Sequence, residues 1–227
     1  MPIKIGDVDV SFTNSSLLMI ITIVAVTVFL MGGMRKRALV PGRWQLTAEI
    51  SYEFIAGMLR DNVGKAGRPY FPLVFSLFMF ILFGNMFGML PYSFTFTSHI
   101  IVTLALALTL FIGVTVLGFI KHGIGFFKFF APAGVPVYLL PLLVPIETIS
   151  YLSRPISLSV RLFANMMAGH TLLKVFGGFV IQMSFFGVLP LAFLVALTGL
   201  ELLIAFLQAY VFAILTCLYI NDALHMH

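Results

Sequence analysis

Charge is scarce in this 227-residue chain. Asp, Glu, Lys and Arg together make up 9% of it, against roughly a quarter in ordinary soluble domains. Hydrophobic residues make up 61%. A water-soluble globular fold is excluded by that balance, and several runs reach the ~20 apolar residues needed to cross a bilayer. The chain is expected to be all-α and polytopic, one integral membrane domain over 1–227. Cysteine is nearly missing as well. Cys217 is the only one, so no intrachain disulfide can form, and its apolar surroundings predict a buried, inert thiol. A phosphate-binding glycine loop is lacking, so no chemistry on nucleotides is expected of this chain. Nor does the sequence point to a cofactor or a metal. The net charge of +5 forms no basic stripe interleaved with exposed aromatics, which argues against nucleic acid as a partner.

The basic residues that do occur are clustered, from Arg35–Arg37 to Arg68 and from Lys121 to Lys128. That placement reads as membrane topology. The apolar run Leu17–Met31 precedes its charged triplet, whereas a removable signal carries its charge before the core. It is expected to be a retained span, about 17–34, with the N-terminus outside. A surface helix over about 43–62 follows. Its apolar Leu46, Ile50, Phe54, Ile55, Met58 and Leu59 recur at three- and four-residue steps, and Glu49, Glu53 and Arg60 are expected to face water.

The next span, about 70–90, carries Gly84 and Gly88 as a small-residue face for close helix packing. Asn85 between them needs a hydrogen-bond partner in lipid. A third span, about 99–120, returns inward. Prolines at 132, 136, 141, 145 and 155 predict a broken element over 137–181. The last span covers about 190–220. Five crossings plus one surface helix result, with the C-terminus on the cytoplasmic side. A helix of ~30 residues is ~45 Å long against ~30 Å of hydrocarbon, so the last two helices are expected to be strongly tilted, by roughly 45–50° for the final one.

Against this background Arg161 stands out. It lies in the stretch SLSVRLFANMMAGH (157–170), with no acidic residue within a dozen positions on either side. A guanidinium at the bilayer centre costs roughly 2.5–3.5 kcal/mol, and it cannot shed its proton because its pKa stays above about 12. Ser157, Arg161 and Asn165 fall on one helical face, while His170, nine residues on, falls on the opposite side. Glu201 and Gln208, seven apart, share a face of the last helix. Glu147 lies near the inner end.

A single Arg–Glu bridge holding the bundle together is the simplest alternative. It leaves the remaining polar groups, at several depths, without a purpose. His170, with a reference pKa near 6.5, accepts and releases protons at working pH. Glu201 does so if burial raises its pKa. Together they suit a proton relay from one side, and Glu147 suits a relay to the other. Between two such half-paths Arg161 repels a passing proton and attracts a passing carboxylate. At ~4 Å and an effective dielectric near 20 that attraction is about 4 kcal/mol, comparable to the ~2.3 kcal/mol released per charge crossing 100 mV. A hydrated, transient contact loosened by a neighbour such as Gln208 is therefore workable.

Three stretches, SLSVRLFANMMAGH, GNMFGMLPYSFTFTSH (84–99) and ELLIAFLQAYVFAILTCLYI (201–220), together resemble the a subunit of the rotary F-type ATP synthase over most of the chain. The resemblance implies that Arg161 is the essential stator arginine. It also implies a ring of c subunits, each bearing one carboxylate, that turns past it. His170 and Glu201 would then line the half-channel open to the outside, and Glu147, Ser157 and Asn165 the one open to the inside. Further implied partners are the b subunits of the peripheral stalk and, through the complex, the F1 sector. The acid and histidine at 201 and 170 resemble the arrangement in alphaproteobacterial and mitochondrial members, and a bacterial inner membrane is the expected location. The rival reading, a proton-coupled secondary transporter, calls for an internal repeat with paired broken helices, which is not evident here.

Overall fold

The computed structural model describes residues 4–5, 8–9, 13–34, 41–90, 95–123, 125–126 and 137–225. Outside them lie the basic triplet 35–37, residues 91–94, Lys128, and the prolines at 132 and 136. The described residues form six α-helices: α1 (Asn14–Met34), α2 (Arg43–Val63), α3 (Phe71–Gly88), α4 (Ile100–His122), α5 (Leu140–Gln182) and α6 (Val188–Leu224). The exception to helix and turn among the described residues is a two-residue antiparallel pairing of Lys4–Ile5 with Val8–Asp9. Helices prevail because lipid offers no partner for backbone N–H and C=O groups, which must be satisfied within each segment. α2 stops at Gly64, whose φ of 74° is open to glycine at little cost. Among the described residues four stretches are long and apolar enough to cross a membrane: α1; Arg43–Gly88, which holds α2 and α3; α4; and α6. Large apolar side chains point outward, such as Ile120 (77% exposed) and Ile181 (83%), as suits a chain whose solvent is lipid.

The core gathers around α6. Its Ala209, Phe212, Ala213, Cys217 and Ile220 are fully or almost fully buried, together with Ile55 of α2, Phe78 and Ile81 of α3, and Leu158 and Leu162 of α5. Cys217 is thus a packing residue. Asn85, also fully buried, donates from Nδ2 to the carbonyl of Ala205 on α6 at 3.3 Å, while its Oδ1 has no partner among the described residues.

Three expectations are corrected. Gly84 and Gly88 do not serve as a groove for another helix. A Cβ at Gly84 would lie 2.5 Å from the Phe96 ring, and one at Gly88 would lie 2.5 Å from Thr95 Cγ2. Their smallness admits two side chains of the turn before α4. The apolar positions of α2, in turn, form two faces. Ile55, Met58 and Leu59 are buried against the bundle, while Leu46 and Ile50 are exposed. Trp44 Nε1 donates to the Phe29 carbonyl of α1 at 3.0 Å, so α2 is docked on its neighbours along its length.

The third correction concerns α5, which runs unbroken through Pro145 and Pro155. Each proline removes one i to i−4 bond, yet the surrounding turns stay closed. Thr148 Oγ1 and Ser153 Oγ donate to the carbonyls of Val144 and Ser150 at 2.8 and 2.7 Å, in the turns flanking the prolines, and α5 packs along its length against α4 and α6.

Candidate functional site

α5 and α6 lie side by side and antiparallel, and three polar pairs cross the seam between them. Arg154 Nη1 donates to Asp222 Oδ2 at 2.8 Å. Asn165 Nδ2 donates to Gln208 Oε1 at 2.9 Å. His170 Nδ1 and Glu201 Oε1 are 2.5 Å apart. Along α5 the first two levels are separated by ~16 Å and the next two by ~8 Å, from 1.5 Å of rise per residue. In an apolar seam each polar group needs its partner at its own depth, so the three pairs pin the register of the two helices.

Arg161 belongs to none of them. Leu158, Ser159, Leu162 and Met166 turn into the bundle, whereas Arg161 is exposed together with Ser157, Ala164 and Ala168. It forms no hydrogen bond or ion pair among the described residues. The bundle-holding Arg–Glu bridge is therefore not what this structure contains. Glu201 is 3% exposed and paired with histidine instead. A shallow groove lined by Phe163, Ala164, Met167, Ala168, Thr171 and Leu172 continues the Arg161 side of α5.

The other anticipated residues are placed as follows. Asn165, one turn on from Arg161, reaches α6 through its bond to Gln208. Ser157 stays on the exposed side. Glu147 is partly exposed, ~21 Å along α5 from Arg161, and makes no hydrogen bond or ion pair among the described residues. His170 lies across α5 from Arg161, as the nine-residue spacing predicts. Between the second and third pairs is a cavity of about 120 Å³ lined by Asn165, Gly169, Glu201 and Ile204, among others. That volume accommodates several waters, each needing about 10–15 Å³ of such space. Glu201 Oε2 and Gln208 Nε2 are buried with no hydrogen-bond partner among the described residues. Gly169 leaves room for the acid, since a Cβ there would stand 2.7 Å from Glu201 Oε1.

Three residues escaped the sequence reading. Arg154 and Asp222 form the lowest pair, with the guanidinium over the rings of Tyr151 and Tyr219 at 5.4 and 5.1 Å. Their signal was a seven-residue rhythm: Arg154 precedes Arg161 by seven, and Asp222 follows Gln208 by fourteen. Thr95, whose Oγ1 contacts His170 Nε2, had no such signal because it comes from a turn. Among the described residues no group of three or more His, Cys, Asp or Glu is placed to hold a metal ion.

A family model described as ATP synthase A chain matches residues 16–221. Relatives are similar over nearly the whole chain. ATP synthase subunit a of Pelagibacter ubique (strain HTCC1062) is 62% identical over 226 residues, covering 99% of this chain and 93% of that protein. ATP synthase subunit a of Paramagnetospirillum magneticum (strain ATCC 700264 / AMB-1) is 59% identical over 234 residues, covering 100% and 95%. That of Mesorhizobium japonicum is 60% identical over 232 residues, covering 99% and 92%.

Proposed function

This chain belongs to the ATP synthase A chain family, and from that premise we propose how its geometry carries protons. It is a multi-pass membrane subunit of a proton-translocating ATP synthase and has no catalytic site of its own. In our reading α1, α3, α4, α5 and α6 make five crossings and α2 lies at the inner surface. The N-terminus is outside and the C-terminus cytoplasmic, in a bacterial inner membrane, which the placement of Lys and Arg supports. Helices of 43 and 37 residues are ~65 and ~55 Å long against ~30 Å of hydrocarbon. α5 and α6 therefore lie strongly inclined and offer a broad face to a ring of carboxylate-bearing c subunits. The peripheral-stalk b subunits and the F1 sector complete the assembly.

One observation carries the mechanism: Arg161 is exposed, and unbonded among the described residues, beside a seam in which its polar neighbours are paired. A cation held for stability would be bonded to a carboxylate of its own chain. One held for a partner's carboxylate must stay open. Protons enter from outside onto His170 and Glu201 and pass to a ring carboxylate, which then leaves Arg161 as a neutral group and turns through lipid. Returning from the other side, it meets Arg161 and releases its proton inward past Ser157, Asn165 and Glu147. Asn165 holds Gln208 beside that turn of α5, so the guanidinium has no permanent acceptor there. The family assignment takes the place of the secondary-transporter reading.

Arg161→Ala tests this. In inverted vesicles with the complex assembled, ATP-driven proton pumping is expected to vanish. Pumping at the native rate overturns the mechanism.

A further inference from the structure

We propose that Thr95 is a positioning residue of the outer proton path: its hydroxyl holds a hydrogen on His170 Nε2, so the mobile proton stays between Nδ1 and Glu201. The inference rests on the outer-path reading above and deepens it by naming the group that orients the relay.

The hydrogen count decides the direction of each bond. Thr95 Oγ1 lies 3.1 Å from the carbonyl of Gly88 and also contacts His170 Nε2. A hydroxyl has one hydrogen to give, and a carbonyl only accepts. With that hydrogen on Gly88, Oγ1 is left to accept, so Nε2 must carry the hydrogen of its own contact. The residue that carries the hydroxyl is held in place. Thr95 is 4% exposed, and the turn is held by Ser98 Oγ donating to the Thr95 carbonyl at 2.6 Å. Gly88 supplies both the acceptor and the space, since a Cβ there would be 2.6 Å from Thr95 Oγ1.

With Nε2–H held, the other ring nitrogen has two favourable states against Glu201 Oε1 at 2.5 Å. A neutral carboxyl donates to a bare Nδ1, or an imidazolium donates to a carboxylate. In both, one proton occupies the contact and the pair is neutral overall, which suits its burial. Once that proton passes to the ring carboxylate, a bare Nδ1 lone pair faces an ionised oxygen. That arrangement is unfavourable, so the pair refills from outside. Without the Thr95 hydroxyl the histidine hydrogen is free to settle on Nδ1 and bond the ionised Glu201, and the empty pair becomes a resting state. The step moves one proton and needs no other reactant.

The test compares Thr95→Val, which keeps the shape and removes the hydroxyl, with Thr95→Ser and His170→Ala in the assembled synthase. Thr95→Val is expected to slow ATP-driven proton pumping about tenfold or more, with ATP hydrolysis by the detached F1 unchanged. Thr95→Ser should retain most of the native rate. In ¹⁵N-histidine spectra the His170 signals, identified by their absence in His170→Ala, should report Nε2–H in the native chain and a shift toward Nδ1–H in Thr95→Val. Native pumping in Thr95→Val, no rescue by serine, or a native Nδ1–H tautomer each overturns the proposal while leaving the path itself intact. Full-rate pumping by His170→Ala overturns the path.

Discussion

Asn165 on α5 donates to Gln208 on α6 at 2.9 Å, one turn beyond Arg161. The pair occupies the glutamine oxygen that would otherwise attract the guanidinium, while Gln208 Nε2 stays buried with no partner among the described residues. Asn165→Leu is expected to cost about 1–3 kcal/mol of stability, because the amide of Gln208 stays buried with one fewer partner. The joint change Asn165→Leu with Gln208→Leu should recover most of that loss, since removing both partners is close to neutral. Thermal melting of the purified complex over the four variants of the cycle checks this, and additive losses would contradict the pairing.

Arg154 and Asp222 form an ion pair whose side chains are 23% and 40% exposed. Solvent screening limits such a pair to about 0.5–1 kcal/mol. Arg154→Met or Asp222→Asn alone should lower the melting temperature slightly. The exchange Arg154→Asp with Asp222→Arg should restore part of it. An exchange no better than the worse single variant would show that aromatic packing around Arg154, rather than charge, holds that end of the seam.

Gly169→Ala places a methyl where Glu201 Oε1 now sits, 2.7 Å away. α5 tolerates alanine as a helix residue, so the chain should fold and assemble. The displaced carboxylate should lengthen its contact with His170 and slow proton pumping about tenfold, a loss of the size usual for supporting groups around a reactive centre. Unchanged pumping would mean that Glu201 in its present position is not on the path.

Cys217 is fully buried and is the sole cysteine, so the native chain should resist a membrane-permeant maleimide. Ala164→Cys, on the exposed Arg161 side of α5, should label readily in the isolated chain and be protected in the assembled complex. Equal labelling in both states would place the ring elsewhere.

Much of this was legible in the amino-acid order. Burial of ~20 apolar residues, Asn85 in search of a partner and Arg161 without a nearby acid all follow from the cost of polar groups in lipid. Pro145 and Pro155 misled, because local propensity takes no account of the neighbouring helices that hold α5 in place. Gly84 and Gly88 misled for a related reason: small size predicts close approach without saying what approaches.

The sequence by itself determined that this is a helical membrane protein with a permanent cation in its apolar part, because composition and hydropathy act locally and need no fold. Only the tertiary structure decided that Glu201 pairs with His170, that Asn165 pairs with Gln208, and that Arg161 remains open. Those outcomes depend on the register of two antiparallel helices and on a turn that delivers Thr95 to a histidine 75 residues away. Register is a sum of packing across the whole seam, and no single stretch of the chain contains it.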